Sequence, residues 1–382
     1  MTSRAVESSA GGPRAPKPEV LASLTDHHFL AALSAADEPL SRAEVAARTG
    51  LSKPAMATAA LRLRERGLIS EVGQRQGRRG GVATLLEVNA GRGHSIAIAV
   101  QPDACSARIR DLVGRVLFDG SERLAADAGP DDVVETTNAL IDRARRTVGS
   151  PLLAAAVSIA DPVDFRTGEP VALAESAFPA GRISPRRDLD LQTPGPVVVD
   201  NDVNWASLAA RRSGVMHDCD DFVYVYCGAG LGAGLVLGGR LYRGRRGLAG
   251  EIGYLRDEAG ADLTQRLAEL GLGRLDGYGL DMDAAQRLLD GRELSPQTQA
   301  VVDTLSRHLA NVAILVNPEA VVLAGPLSDH PAFVAGLRAG IIRLTPDPPE
   351  VVVGSFAPLM GASDEAHENA LAEVGLPTAG RL

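Results

Sequence analysis

A chain of 382 residues is too long for one ordinary core and points to two or three domains, and its 45% hydrophobic and 23% charged content is that of a folded globular protein rather than a disordered or fibrous one. No apolar run approaches the roughly 18 residues of a membrane span, and no basic-then-apolar start marks a signal peptide, so a cytoplasmic protein without membrane association is expected. The net charge of −9 is uneven, with 12 Arg/Lys against 9 Asp/Glu in residues 1–90 and 27 against 39 in the remainder, a weakly basic head on an acidic body.

Residues 1–20, rich in Gly, Pro and Ser without periodicity, are expected to be a disordered tail. From Leu21 to Leu33 apolar residues recur at helical spacing. Ser41, with Glu44 three residues on, predicts a capped short helix that Gly50 ends. After the turn Gly50-Leu51-Ser52 a second helix is predicted from Lys53 to Arg66, with Pro54 in its first turn and Gly67 as its stop. LISEV (68–72) and VATLLEV (82–88) then read as strands flanking a Gly/Arg-rich loop over 73–81. Helix, helix, turn, helix and hairpin is the order of a winged helix-turn-helix over residues 21–90. Its short inter-helix spacing lets one helix cross a DNA backbone while the next enters the major groove.

On that reading Ser52, Lys53 and Thr58 lie where base edges and phosphates are reached, with Arg62 one turn beyond on a similar face. Leu61, Leu63 and Leu68 are expected to pack inward. Arg75, Arg78 and Arg79 are expected at the wing tip, where Arg enters a narrow minor groove or holds phosphates. Ala55, Ala57, Ala59 and Ala60 fill much of the recognition helix, so wing and shape readout should outweigh direct base readout.

Beyond residue 90 the pattern changes to alternating strands and helices. Strands are predicted at 94–100, 106–112, 152–159, 196–202 and 319–327, and helices at 131–147, 204–212 and 296–316. Residues 221–244 read as two strands joined by a Gly-rich hairpin. This is an α/β arrangement, from which two similar lobes with a cleft between them are expected. The three cysteines, Cys105, Cys219 and Cys227, form no CxxC and give neither a disulfide scaffold nor a zinc signature.

Three stretches resemble the ROK family of sugar kinases and sugar-responsive repressors. Asn201-Asp202-Val203-Asn204 resembles its NDxN motif, Gly228–Gly234 with Gly238–Gly244 its phosphate-binding hairpin, and Gly250-Glu251-Ile252-Gly253 its GEIG segment. LSRAEVAARTGLSKPAM (40–56) is similar to the operator-binding domain of the repressor branch. The resemblance implies an actin- or hexokinase-like pair of ribonuclease-H-type lobes over 91–382. Asp202 then matches the residue that takes the proton from a sugar hydroxyl in the kinases, and Asn201, Asp202 and Glu251 are expected sugar contacts.

The departures from the family pattern are as informative. The first phosphate loop reads Val100-Gln101-Pro102-Asp103-Ala104-Cys105-Ser106, without glycine and with Pro102 removing an amide donor, so ATP phosphates cannot be cradled in the usual way. Ala229 stands where the second hairpin offers Thr. Tyr254 replaces the His after GEIG, and 255–271 holds no Cys or His, so no metal is expected. The loop 174–190 lacks the family's sugar-binding Asn, and Ala210 stands where Glu often follows NDxN. The expectation is a transcriptional regulator without kinase activity or cofactor. It would bind a double-stranded palindromic operator as a homodimer or tetramer and respond to a sugar or sugar-phosphate effector. A kinase with an added DNA-binding head, or a regulator insensitive to small molecules, are the alternatives.

Overall fold

Contacts divide the chain into two compact units, residues 1–92 together with 371–382, and residues 93–370. The computed structural model describes residues 18–76, 81–173, 175–275, 277–289 and 294–378.

In the first unit α1 (Pro18–Ser34) begins inside the stretch expected to be a tail, with Pro18 at a first-turn position that needs no amide hydrogen. Phe29, Leu30 and Leu33 bury its inner face. The short strand β1 (Leu40–Ser41) leads into α2 (Arg42–Thr49). Here the expected capping box is complete: Ser41 Oγ accepts from the Glu44 amide at 3.3 Å, and the Glu44 carboxylate accepts from the Ser41 amide at 2.7 Å. Gly50 ends α2 in the left-handed region at φ +69°, which a side chain would strain.

The following helix, α3 (Lys53–Glu65), is capped by Ser52 and buries Met56, Ala59, Ala60 and Leu63 in one stripe. Leu61, expected inside, is 48% exposed. It stands two residues, and so about 200° around the helix, from Leu63, on the opposite face. Strands β2 (Ile69–Gln76) and β3 (Val82–Val88) complete a sheet of order β1-β3-β2. Strand β2 outruns its expected end at residue 72. A register shift between Glu71 and Gly73 absorbs one residue, and pairing continues to Gln76 opposite Val82.

The second unit contains two five-stranded sheets. The first is built from β4 (His94–Val100), β5 (Ala104–Asp111), β6 (Val116–Arg123), β7 (Leu152–Ile159) and a last strand, Val197–Asn201. Helix α4 (Pro130–Arg146) joins β6 to β7. A two-residue hairpin, β8 (Val163–Asp164) with β9 (Glu169–Pro170), and the single turn α5 (Pro185–Asp188) precede that last strand, β10. Helix α6 (Asp202–Ser213) follows it directly.

The second sheet takes β11 (Phe222–Cys227), β12 (Leu231–Leu237) and β13 (Arg240–Tyr242), one strand more than expected over 221–244. After α7 (Leu263–Leu267), α8 (Met282–Leu289) and α9 (Pro296–Val316) come β14 (Ala320–Ala324), α10 (Pro331–Leu344), β15 (Glu350–Val353) and α11 (Pro358–Val374).

The strand orders are β10-β7-β4-β5-β6 and β13-β12-β11-β14-β15. In each, the first strand is central, an antiparallel meander lies on one side and two parallel strands lie on the other. One topology used twice makes the two lobes. The parallel strand β7, between β4 and β10, is buried at every residue, and its sequence is accordingly apolar but for Ser158 rather than alternating.

Helix α6 is clamped between the sheets. Trp205, fully buried, packs with Ala97, Ala156, Ala362 and Ala366, and its indole N–H donates to the Val157 carbonyl at 3.1 Å. Val203, Ala206 and Ala210 pack instead with Phe222, Tyr224 and Val236. The amino end of α6 is thereby held at the carboxyl ends of β7 and β10, where open α/β sheets place their ligands. Helix α7 buries Leu263 and Leu267 fully. Among the described residues no helix is long and apolar enough to cross a membrane.

Candidate functional site

Two surfaces gather the chemistry-bearing residues, one in each unit. In the first, Ser52, Lys53 and Thr58 are exposed along the start of α3. Ser52 Oγ accepts from the Ala55 amide at 3.4 Å, and Thr58 Oγ1 donates to the Pro54 carbonyl at 3.1 Å. Lys53 carries no ion pair among the described residues.

Arg62 does not share this face. Its Nη2 and Nε donate to the Asp26 carboxylate of α1 at 2.6 and 3.3 Å, a two-pronged pair that raises the guanidinium's pKa chiefly through those hydrogen bonds. Arg62 therefore ties α3 to α1 rather than waiting for DNA. Arg75 lies within paired β2, not at a loop tip, and its Nη1 donates to Glu44 at 2.8 Å. The carboxylate that caps α2 thus also anchors the wing strand. Arg78 and Arg79 lie outside the described residues.

Three cations went unnoticed in the sequence. Arg42 and Arg48 are exposed on α2, and Arg64, paired with Glu71 at 2.9 Å, flanks with Arg42 a shallow groove beside Ala57 and Leu61. For Arg42 and Arg48 the signal was position on α2, the helix that precedes the turn and crosses the backbone in this motif.

The second surface is the cleft in the unit of residues 93–370, where Asn201, Asp202 and Glu251 come together. Asn201 is chiefly structural: its Oδ1 accepts from the Val203 and Asn204 amides at 2.9 and 3.4 Å, and its Nδ2 donates to the Ala160 carbonyl at 2.8 Å. Its side chain also hydrogen-bonds the neighbouring Asp202 carboxylate, which counters part of that group's upward pKa shift. Asn204 points below the floor, donating to Asp200, whose other oxygen accepts from Arg243 Nε at 2.6 Å.

Asp202 is 8% exposed and its Oδ1 accepts from the Val203 amide at 2.7 Å. Burial pushes its pKa up to about 8 against that hydrogen bond, with the charges of Glu251 and Asp161 adding to the rise. Burial, and then Asp161, raise Glu251 to about 7. Glu251 is presented by a close crossing of chain. A Cβ on Gly250, at φ +91°, would stand 1.8 Å from the Ala233 carbonyl oxygen.

Sequence reasoning missed Asp161, Glu175 and Ser176 on the opposite wall. Asp161 accepts from Ser176 Oγ at 2.7 Å and from Arg182 Nε at 3.0 Å. It stands two residues past β7, at the carboxyl end of a central strand, and that place was its signal. Tyr254 lies near Tyr278 with nearly parallel rings, centroids 6.0 Å apart, and its hydroxyl donates to the Glu175 carbonyl at 3.1 Å.

The residues present do not complete the family's pair of phosphate loops: Gly230 and Gly232 of the second hairpin line the cleft, but the first loop has no glycine. Gln101 and Pro102 line the cleft where a glycine loop would be needed. Beside them Tyr226 packs on Phe356 with centroids 4.2 Å apart, and both rings line the same region. Nor do they fit a structural zinc, because Tyr254 and residues 255–271 offer no nitrogen or sulfur ligand. Among the described residues no group of three or more His, Cys, Asp or Glu is placed to hold a metal ion.

The ROK family model matches residues 119–265 and the MarR family model residues 23–80. The chain is 25% identical over 334 residues to the xylose repressor of Bacillus spizizenii, covering 80% of this chain and 83% of that protein. It is 24% identical over 335 residues to the DNA-binding transcriptional dual regulator NagC of Escherichia coli, covering 76% and 78%. A crystal structure of a ROK family transcriptional regulator, a homologue of the E. coli MLC protein, superposes with a TM-score of 0.62 at 19% identity, covering 92% of this chain and 99% of that one.

Proposed function

We propose that this chain, a ROK family domain joined to a MarR-type winged helix, is a sugar-responsive DNA-binding transcriptional regulator, a repressor, without kinase activity. The observation that carries the reading is the pairing of two surfaces in one chain. One is a capped helix pair with Ser52, Lys53 and Thr58 exposed at the start of its second helix. The other is a cleft that keeps Asp202, Glu251 and the glycine hairpin at 228–234 but has Gln101 and Pro102 in place of the first glycine loop for nucleotide phosphates. The xylose repressor and NagC, which align with this chain over 83% and 78% of their length, are named as a repressor and as a DNA-binding transcriptional dual regulator, which supports the reading.

In mechanism, Lys53 and the amino end of α3 meet the major groove, Arg42 and Arg48 hold phosphates, and the wing strands carry Arg75 toward the adjacent groove. Two recognition helices about one helical turn apart require a symmetric dimer, which fits an inverted-repeat operator. A ligand held by Asp202 and Glu251 beside Asn201 favours one arrangement of the lobes. It regulates DNA binding only through its different affinity for the two states.

Two features favour catalysis instead: the glycine hairpin at 228–234, and Asp202, since a buried carboxylate with a raised pKa is the profile of a general base. A coupled ADP-release assay over a monosaccharide panel separates the readings, and no release is expected. Selection from a random duplex pool by the full-length protein should enrich an inverted repeat. Sugar-dependent ADP release, or a pool that stays random, would overturn the proposal.

A further inference from the structure

The cleft has a composition that an effector site for sugars in general does not require. Four carboxylates line it, Asp161, Glu175, Asp202 and Glu251, and no Lys, Arg or His is among the lining residues, in a chain that carries 39 Lys and Arg. Arg182 reaches Asp161 from outside the lining, and Arg243 is engaged with Asp200 beneath the floor. Among the described residues neither Asp202 nor Glu251 is paired with a cation. Rings gather in the same place. The chain has only 1 Trp, 5 Tyr and 7 Phe, yet Phe178, Tyr226, Tyr254, Tyr278 and Phe356 all line this one cleft.

Carboxylates and ring faces present the same sign of electrostatic potential to a guest. A cation gains charge attraction from both, an uncharged sugar gains hydrogen bonds to the carboxylates and contact with the rings but no charge attraction, and a phosphate is repelled by both. We propose that the effector is a small cation, an amine-bearing monosaccharide or a close mimic of one. Its ammonium group sits against Asp202 and Glu251, and its apolar ring face lies on the Tyr254–Tyr278 wall. The proposal rests on the reading of this cleft as an effector site and narrows the ligand to one charge class, excluding the sugar phosphates that the sequence left open.

The raised pKa values of Asp202 and Glu251 give the idea a signature. Both carboxyls are partly protonated near neutral pH because burial disfavours their charged forms, helped by the charge of Asp161 at both and of Glu251 at Asp202. An arriving ammonium group favours the carboxylates, so its binding releases protons to the buffer. A neutral sugar leaves the protons in place, and a phosphate would draw more in.

The test is isothermal titration of the full-length protein at pH 7.5 in two buffers of different ionisation heat. The probes are the glucose, galactose and mannose series, each as parent sugar, free 2-amine, N-acetylated amine and 6-phosphorylated amine. In at least one series the free amine should bind at least about tenfold more tightly than its parent, or about 1.4 kcal/mol, with net proton release. Glu251→Gln, with folding verified by the fluorescence of Trp205, should shrink that ratio toward one. A parent sugar or N-acetylated amine that binds as tightly as the free amine overturns the proposal and leaves the effector site standing, as does a 6-phosphate that binds tightest. If no sugar of any series gives heat or alters DNA affinity, the proposal and the effector reading fall together.

Discussion

Replacing Asp202 by Asn should stabilise the unit of residues 93–370, and by an amount that grows with pH. The carboxyl titrates near its ordinary 3.8 in the unfolded chain and near 8 in the folded one. Between those values the folded state holds a proton that the unfolded state has released, so stability is greatest below the unfolded pKa and is lost as pH rises through the folded one. The slope is about 1.4 kcal/mol per pH unit, and partial ionisation near pH 8 leaves a loss of roughly 2 kcal/mol between pH 6 and pH 8. Glu251, raised to about 7, adds a smaller loss that ends earlier.

Asn at 202 keeps an acceptor for the Val203 amide and cannot ionise. The variant should therefore lose less stability over the same range. Trp205 is the chain's one tryptophan and lies buried in α6, so urea melts followed by its fluorescence report this unit alone. Melts of both proteins at pH 6, 7, 8 and 9 should give curves that diverge by about 2 kcal/mol. Midpoints that move in parallel would show that Asp202 is not held neutral, and the account of the cleft's electrostatics would fail.

Arg62→Ala removes the two-pronged contact with Asp26 and should destabilise the winged helix by about 1 kcal/mol or somewhat more, visible as a lower melting temperature; Lys at that position should restore only part, lacking the planar fork. Ser41→Ala breaks the capping box of α2 at about 1 kcal/mol, and Ser41→Asp should recover most of it in the same melts. Gly250→Ala forces a methyl into the Ala233 carbonyl at a positive φ. It should lower the Trp205-reported stability by several kcal/mol, and a wild-type midpoint would show that this crossing is looser than described.

What the sequence disclosed was local. The Ser41/Glu44 box, the Gly50 stop and the full span of α9 each depend on neighbours within a few residues, and each was readable. The misplaced residues depend on distant partners. Arg62 lies on Thr58's side of α3 by spacing, yet Asp26, 36 residues away, captures its guanidinium. Leu61 looked apolar and therefore internal, but the stripe set by Met56, Ala59 and Leu63 turns it outward.

In the cleft, Asn201, Asp202 and Glu251 were found because they sit in recognisable motifs. Asp161, Glu175 and Ser176 carry no motif and become neighbours only when the chain past β7 folds back over the amino end of α6. The aromatic concentration was invisible for the same reason, since its five rings are spread from residue 178 to residue 356.

The central claim is sequence-specific DNA binding by the winged helix. It is tested most directly by gel shifts on the best duplex from the selection, at two salt concentrations, with wild-type protein and Lys53→Ala. The account predicts tight binding that a scrambled duplex does not share. It also predicts weaker binding by the variant, with a logarithmic salt slope smaller by about one if Lys53 holds a phosphate. Equal affinity for selected and scrambled duplexes, unchanged by removal of Lys53, would contradict it.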